Sequence, residues 1–130
     1  MPLGDVTYVN AALDALVDSW PATGASYRLY ASDPQAVDDP STVELGSDGG
    51  YAALDFAPTD FSDAASGLKS RSSALDFGTT TAAFSDIAKY WGITDTDGLL
   101  VFSDVMDDPI EVDAADDPAT FTPTLTFEGA

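Results

Sequence analysis

Asp95, Asp97 and Gly98 stand together as Asp-Thr-Asp-Gly, the spacing with which many calcium loops open. Asp104 follows the glycine by six residues, where such loops place their closing carboxylate. Carboxylate oxygens at that spacing suit a hard cation, and calcium is the ion the pattern names. The downstream residues favour a simpler reading. A calcium loop runs into a helix, whereas residues 99–105 (LLVFSDV) alternate as a strand does. A chain with twenty aspartates also produces such spacings by chance. The expectation is a plain turn and no cofactor. Asp95, Asp97 and Asp104, with Asp107 and Asp108 close by, remain the candidate cation site.

Other chemistry is restricted by what the chain lacks. It has neither His nor Cys, so Ser-His-Asp, Cys-His and thiolate-metal constellations cannot be assembled within it. A glycosidase needs only two carboxylates roughly 5 to 9.5 Å apart. Nothing in the sequence marks one pair among the twenty-three acidic residues. The chain therefore reads as non-enzymatic, with no catalytic residue assigned.

Those twenty-three acids face two Lys and two Arg, a formal charge of −19. Nucleic acid and anionic lipid demand Lys and Arg against their phosphates, so both are excluded as partners. The self-repulsion of such a surface is strongly damped in molar salt, where the Debye length falls to about 3 Å. Asp is chosen over Glu nearly throughout, Lys is scarce, and carboxylates recur as adjacent pairs at Asp38 and Asp39, Asp107 and Asp108, and Asp116 and Asp117. The composition suits brine. No apolar run approaches a membrane span, and the N-terminal residues MPLGDVTYVN predict no secretory leader.

The elements that must carry these residues follow from periodicity. Val6, Val9, Leu13, Leu16, Val17 and Trp20 recur at spacings of three and four. They predict an amphipathic helix over about residues 6–19, capped by Asp5 or Thr7, with Asp14 and Asp18 on its solvated side. Residues 26–31 (SYRLYA) read as a strand, and Asp33-Pro34, Asp39-Pro40 and the glycines from Gly46 to Gly50 punctuate a long loop over 32–50. Tyr30 and Tyr51 flank that loop and are candidates for recognition of a protein or glycan, although half-buried core positions are the commoner fate of such tyrosines. Trp20 and Trp91 are read the same way. Further strands are expected at 51–56, at the end of 69–77 and at 79–84. A hairpin pairs 87–93 with 99–105, and a last strand covers 120–127, with Pro123 at an edge or bulge. The expected fold is mainly β: a single antiparallel β-sandwich or partly open barrel of about six to seven short strands, with one N-terminal amphipathic helix, in one domain over residues 1–130.

The succession AALDAL (11–16), YRLYASDP (27–34), VEL (43–45), GGYA (49–52), FSDIAKYWGITDTDG (84–98), Leu99, Leu100 and a closing Leu125 to Phe127 resembles a family of small tailed-phage virion proteins commonly labelled phage tail fibre proteins. Members of that family open with a helix, continue through an LYTSxP-like strand and loop and a GGGYAR segment, and end near a GIfDaatgG-LL hairpin. The likeness covers nearly the whole chain through the order and spacing of short motifs. Ala53 stands where the family often carries Arg, so any contact of that Arg is not carried over. The acidity points to a halophilic, haloarchaeal form of the family.

The resemblance implies a virion location, with assembly in the host cytoplasm. The expected partners are other virion proteins and further copies of the chain. A fibre requires length from coiled coils or repeats, and the chain contains neither. A capsid decoration or turret component is therefore the first expectation. A tail-fibre or tail-tip component binding a host-surface glycan or protein is the second.

Overall fold

The computed structural model describes residues 6–77, 81–115 and 117–126. Among these are one α-helix and eight strands, which do not close into a barrel, so the architecture is mainly β as the sequence predicts. The chain divides into two compact units. One comprises residues 23–56 and 76–120, and the other residues 1–22, 57–75 and 121–130.

The first unit is built on a four-stranded antiparallel sheet. Its strands are β1 (Ser26–Tyr30), β2 (Leu54–Asp55), β5 (Ala88–Thr94) and β6 (Leu100–Ile110), in the order β2-β1-β5-β6. β5 and β6 form the expected hairpin, and Gly98 supplies the positive φ of its turn at +80°. β1 lies against β5 with Tyr27 opposite Ile93 and Leu29 opposite Trp91, all four buried. Aromatic pairs fill the core. Tyr27 stacks on Phe56 with ring centroids 5.3 Å apart, and Tyr51 packs against Phe77 and Phe84 at 5.8 and 6.1 Å.

The segment expected as a strand over 51–56 is paired as a strand only at Leu54–Asp55. The neighbour of β1 changes along the strand: Phe56 N–H donates to Ala25 O at one end, while Ala31 N–H donates to Val43 O and Leu45 N–H to Leu29 O at the other. Two short segments thus share the edge that one longer strand would occupy. The strand expected over 79–84 is absent from residues 81–84, and the rest of it lies outside the described residues.

Both edges of this sheet are guarded. β2 is only two residues long. On β6, the Asp104 carboxylate accepts the N–H of Val105 at 2.9 Å, Gln35 donates to Ser103 Oγ at 2.7 Å, and Pro109 has no N–H to offer. Short strands, charges and proline are the usual defences against edge-to-edge pairing.

The second unit holds α1 (Val6–Asp18), which buries Val9, Leu13 and Val17 along one face, continued by Trp20 just beyond its end. Trp20 meets Phe61 edge-on at 6.2 Å. The candidate caps, Asp5 and the Thr7 side chain, lie outside the described part. β3 (Lys69–Ser70) pairs with β8 (Thr124–Leu125). The segment 69–77 ends in a strand as expected, β4 (Leu75–Asp76), but is divided, with β3 at its other end; β4 pairs with β7 (Thr120–Phe121), and the residues of each of these two strands divide between the units. The last strand is likewise split into β7 and β8 by the fully buried Pro123, while Thr120, Thr122, Thr124 and Thr126 face out as the alternation predicts. Phe127 lies outside the described residues.

Candidate functional site

Asp95 spends its carboxylate on the hairpin turn. Oδ1 accepts the N–H groups of Asp97 and Leu99, both at 2.9 Å, and the Asp95 carbonyl accepts Gly98 N–H at 3.0 Å. This is an Asx-type closure, the local role in which Asp competes with water for backbone donors. Asp104 sits opposite Trp91, well down the ladder from the turn, and bonds the neighbouring backbone as described above. Among the described residues no three acidic side chains gather into a set able to hold a metal ion.

A different cluster converges in the same unit. Arg28, at the middle of β1, projects beside Glu44, which the 43–45 segment places across from Tyr30. Arg28 Nη1 donates to both Glu44 oxygens at 3.1 and 3.0 Å, and Nε donates to Thr94 Oγ1 at 2.8 Å. The Tyr51 hydroxyl accepts Leu29 N–H at 3.0 Å and donates to Glu44 Oε2 at 2.8 Å. Burial above all raises the Tyr51 pKa beyond its ordinary value, against the opposing bond from Leu29. Arginine holds a carboxylate in a fixed geometry that lysine does not match.

The intervening loop is shaped by its own sequence. Asp33 and Asp39 each accept the N–H two residues ahead, at 2.9 and 3.0 Å, and so cap the short 3-10 turns Pro34–Ala36 and Pro40–Thr42. The second of these brings Ser41 to the rim of a cavity of about 130 Å³, which Arg28, Tyr30, Glu44, Thr94 and Gly98 also line.

Tyr30 is 0% exposed, and its hydroxyl has no hydrogen-bond partner among the described residues. Burial first, and then the Glu44 charge, push its pKa up to about 12. Leaving such a hydroxyl unbonded costs about 1–3 kcal/mol, so its position calls for a reason. Gly92 helps to place it. A Cβ there would come within 3.0 Å of the Tyr30 ring and 2.9 Å of Phe102 O, so only glycine lets the ring lie against the strand.

The recognition candidates named by the sequence take other roles. Tyr30 and Tyr51 are buried and contribute their hydroxyls, not exposed ring faces, to this polar cluster, while Trp20 and Trp91 are core residues. Sequence reasoning passed over Arg28, Glu44 and Thr94. The available signal was the rarity of basic residues, one of which interrupts an otherwise apolar and aromatic strand.

The second unit contains a cation that is buried, unlike Arg28, whose side chain is 30% exposed. Lys69 is 4% exposed, and its ammonium donates to Asp14 Oδ1 at 2.6 Å and to Ser62 O at 3.1 Å. Asp14 also accepts Ala64 N–H at 2.9 Å, so this helix residue, 39% exposed on the solvated side as expected, also anchors the buried Lys69. The Lys69 bond, followed by that from Ala64, holds the Asp14 carboxyl below its ordinary value. Asp18, Asp63 and Phe61 line a cavity of about 380 Å³ beside this pair.

No family model matches the chain, and no curated protein sequence matches it significantly.

Proposed function

We propose that this chain is a non-enzymatic structural protein displayed in many copies on the surface of a tailed virus particle from a salt-loving host, as a capsid decoration or turret component. The observation that carries the reading is the combination of a formal charge of −19 with a β6 edge guarded by Asp104 and Pro109 and a two-residue β2 at the other edge. A protein crowded on a lattice at high local concentration is exposed to edge-to-edge association. Guarded edges and like charge oppose that association, while salt screens the charge at longer range. The order of motifs shared with small tailed-phage virion proteins supports the same reading. Docking on the lattice then proceeds through side chains and not through strand addition along β6. The partners are the major capsid protein and further copies of the chain, in a closed symmetric arrangement.

A second reading, a tail-fibre or tail-tip component that binds the host surface, is favoured by one observation, the polar cavity at Arg28 and Tyr30. Quantitative mass spectrometry of purified particles tests both readings. Copy numbers comparable to that of the major capsid protein support the decoration reading. A few to a few dozen copies per particle support the tail reading, and absence from the particles contradicts both.

A further inference from the structure

The sequence contains two Asp-Gly pairs, Asp48-Gly49 and Asp97-Gly98. Both aspartates are exposed, and both glycines take a positive φ, +71° and +80°. Their surroundings differ. Gly49 is buried, its carbonyl accepts Thr81 N–H at 2.9 Å, and the place where a Cβ would sit lies 2.5 Å from Ala82 O and 2.8 Å from Ala83 O. Backbone packed this closely has little room to rotate. Gly98 is exposed, as are Thr96, Asp97 and Leu99 around it, and nothing lies within 4 Å of the same place on this glycine. The hairpin is closed beneath the tip by Asp95 N–H donating to Leu99 O at 2.9 Å and by Leu99 N–H donating to Asp95 Oδ1 at 2.9 Å. Asp97 gives its own N–H to Asp95 Oδ1, while its carboxylate accepts no hydrogen bond from a described residue.

We propose that Asp97 is a site of spontaneous isoaspartate formation, which the fold permits at the hairpin tip and suppresses at Asp48. The Gly98 amide nitrogen attacks the Asp97 carboxyl carbon. The nitrogen gives up its proton, the protonated carboxyl gives up its hydroxyl, one water leaves, and a five-membered succinimide closes. Water then adds to one of the two ring carbonyls and breaks its C–N bond. Opening at the side-chain carbonyl restores aspartate, whereas opening at the main-chain carbonyl leaves the chain running through the former side chain. No oxidant, reductant or partner molecule enters. The step requires a neighbour without a side chain, a free carboxyl and a peptide able to turn. Asp97-Gly98 offers all three once a single bond, Gly98 N–H to Asp95 O at 3.0 Å, has opened, and exposed tips open at little cost. The product inserts one methylene between residues 97 and 98 and so displaces Gly98 and Leu99 from their acceptors on Asp95. This chemistry belongs to the chain itself, so it occurs or fails whichever virion reading stands.

The test is incubation of the purified full chain in molar potassium chloride at mildly acidic pH for several weeks, followed by digestion and electron-transfer fragmentation, which distinguishes isoaspartate from aspartate at each position. A parallel sample is held in urea. In the folded chain isoaspartate is expected to accumulate several-fold faster at Asp97 than at Asp48. In urea, where both pairs are equally free, the two rates should approach each other, chiefly through a rise at Asp48. Asp97→Glu alters an exposed side chain and lengthens the ring that would have to close, so it should remove the product at the hairpin and leave the slow rate at Asp48 unchanged. Three results overturn the proposal: no isoaspartate at Asp97, accumulation at Asp48 as fast as at Asp97 in the folded chain, or the same ratio between the two sites in urea as in the folded chain.

Discussion

Arg28 and Lys69 are two of only four basic residues in the chain, and each turns its charge toward a carboxylate in a different compact unit. Their surroundings differ. Arg28 lies on a strand whose register is fixed by β5 along all five of its residues, and its partner Glu44 is held a second time by Tyr51. The ion pair there is added to a sheet that already satisfies its backbone. Lys69 begins a ladder of only two residue pairs, in a unit rich in loops. Its ammonium and the Asp14 carboxylate together satisfy Ser62 O and Ala64 N–H, while Asn10 Oδ1 accepts Gly67 N–H. Side chains there do what strand pairing does in the other unit. An ion-paired cation can thus be an ornament of a sheet or a substitute for one.

The comparison breaks most visibly at Lys69. Lys69→Ala empties a buried site and frees the groups it bonds, and is expected to cost about 3 kcal/mol in urea denaturation. Hydrogen exchange should show protection at Ala64 and in α1 falling more than protection in β5. Lys69→Met keeps much of the volume without the charge and should recover part of the loss. A cost for Lys69→Ala smaller than that for Arg28→Ala would reverse the ranking.

Tyr51→Phe sharpens the other side. It leaves the buried Leu29 N–H without its acceptor, and a loss of about 1–2 kcal/mol is expected in the same denaturation measurement.

Tyr30 gives an alkaline signature. Its folded pKa is raised from 10.0 to about 12, so its contribution is fully present below pH 10.0 and is lost as pH rises toward about 12. Thermal melts of Tyr30→Phe should therefore decline less steeply than the parent over that interval.

The smallest effect is at Asp14. Its pKa is depressed, so its contribution is present above 3.8 and is lost as pH falls through the lower folded value. Asp14 is 39% exposed, and solvent screening keeps the effect modest. Asp14→Asn should flatten the acid limb of a melting-temperature curve below pH 3.8 and leave its alkaline limb unchanged.

Local periodicity made the helix, the first strand, the β5 and β6 hairpin and the alternation around Pro123 legible in the sequence, because each depends on spacing within a few residues. The pairing of β1 with 43–45 at one end and with Leu54–Asp55 at the other was not legible, because it is set by a loop whose shape comes from two Asp-Pro caps. Those caps were visible as dipeptides, but their consequence, placing Glu44 beside Arg28, depends on a meeting of distant residues. The acidic hairpin drew attention through a motif that the structure uses at Asp95 to close a turn. The two ion-paired cations carried no motif at all, only the weak signal of being rare.

Brine is the claim on which the halophilic reading rests, and the thermal unfolding midpoint of the purified chain from about 0.1 to about 2 M potassium chloride tests it most directly. The Debye length is about 10 Å at the lower end, so nearby carboxylates still repel, and it falls to about 3 Å only near 1 M. With a charge of −19, the midpoint should climb through the whole range. A midpoint that is flat, or that levels off at a few tenths molar, would contradict the assignment of this surface to a salt-loving particle.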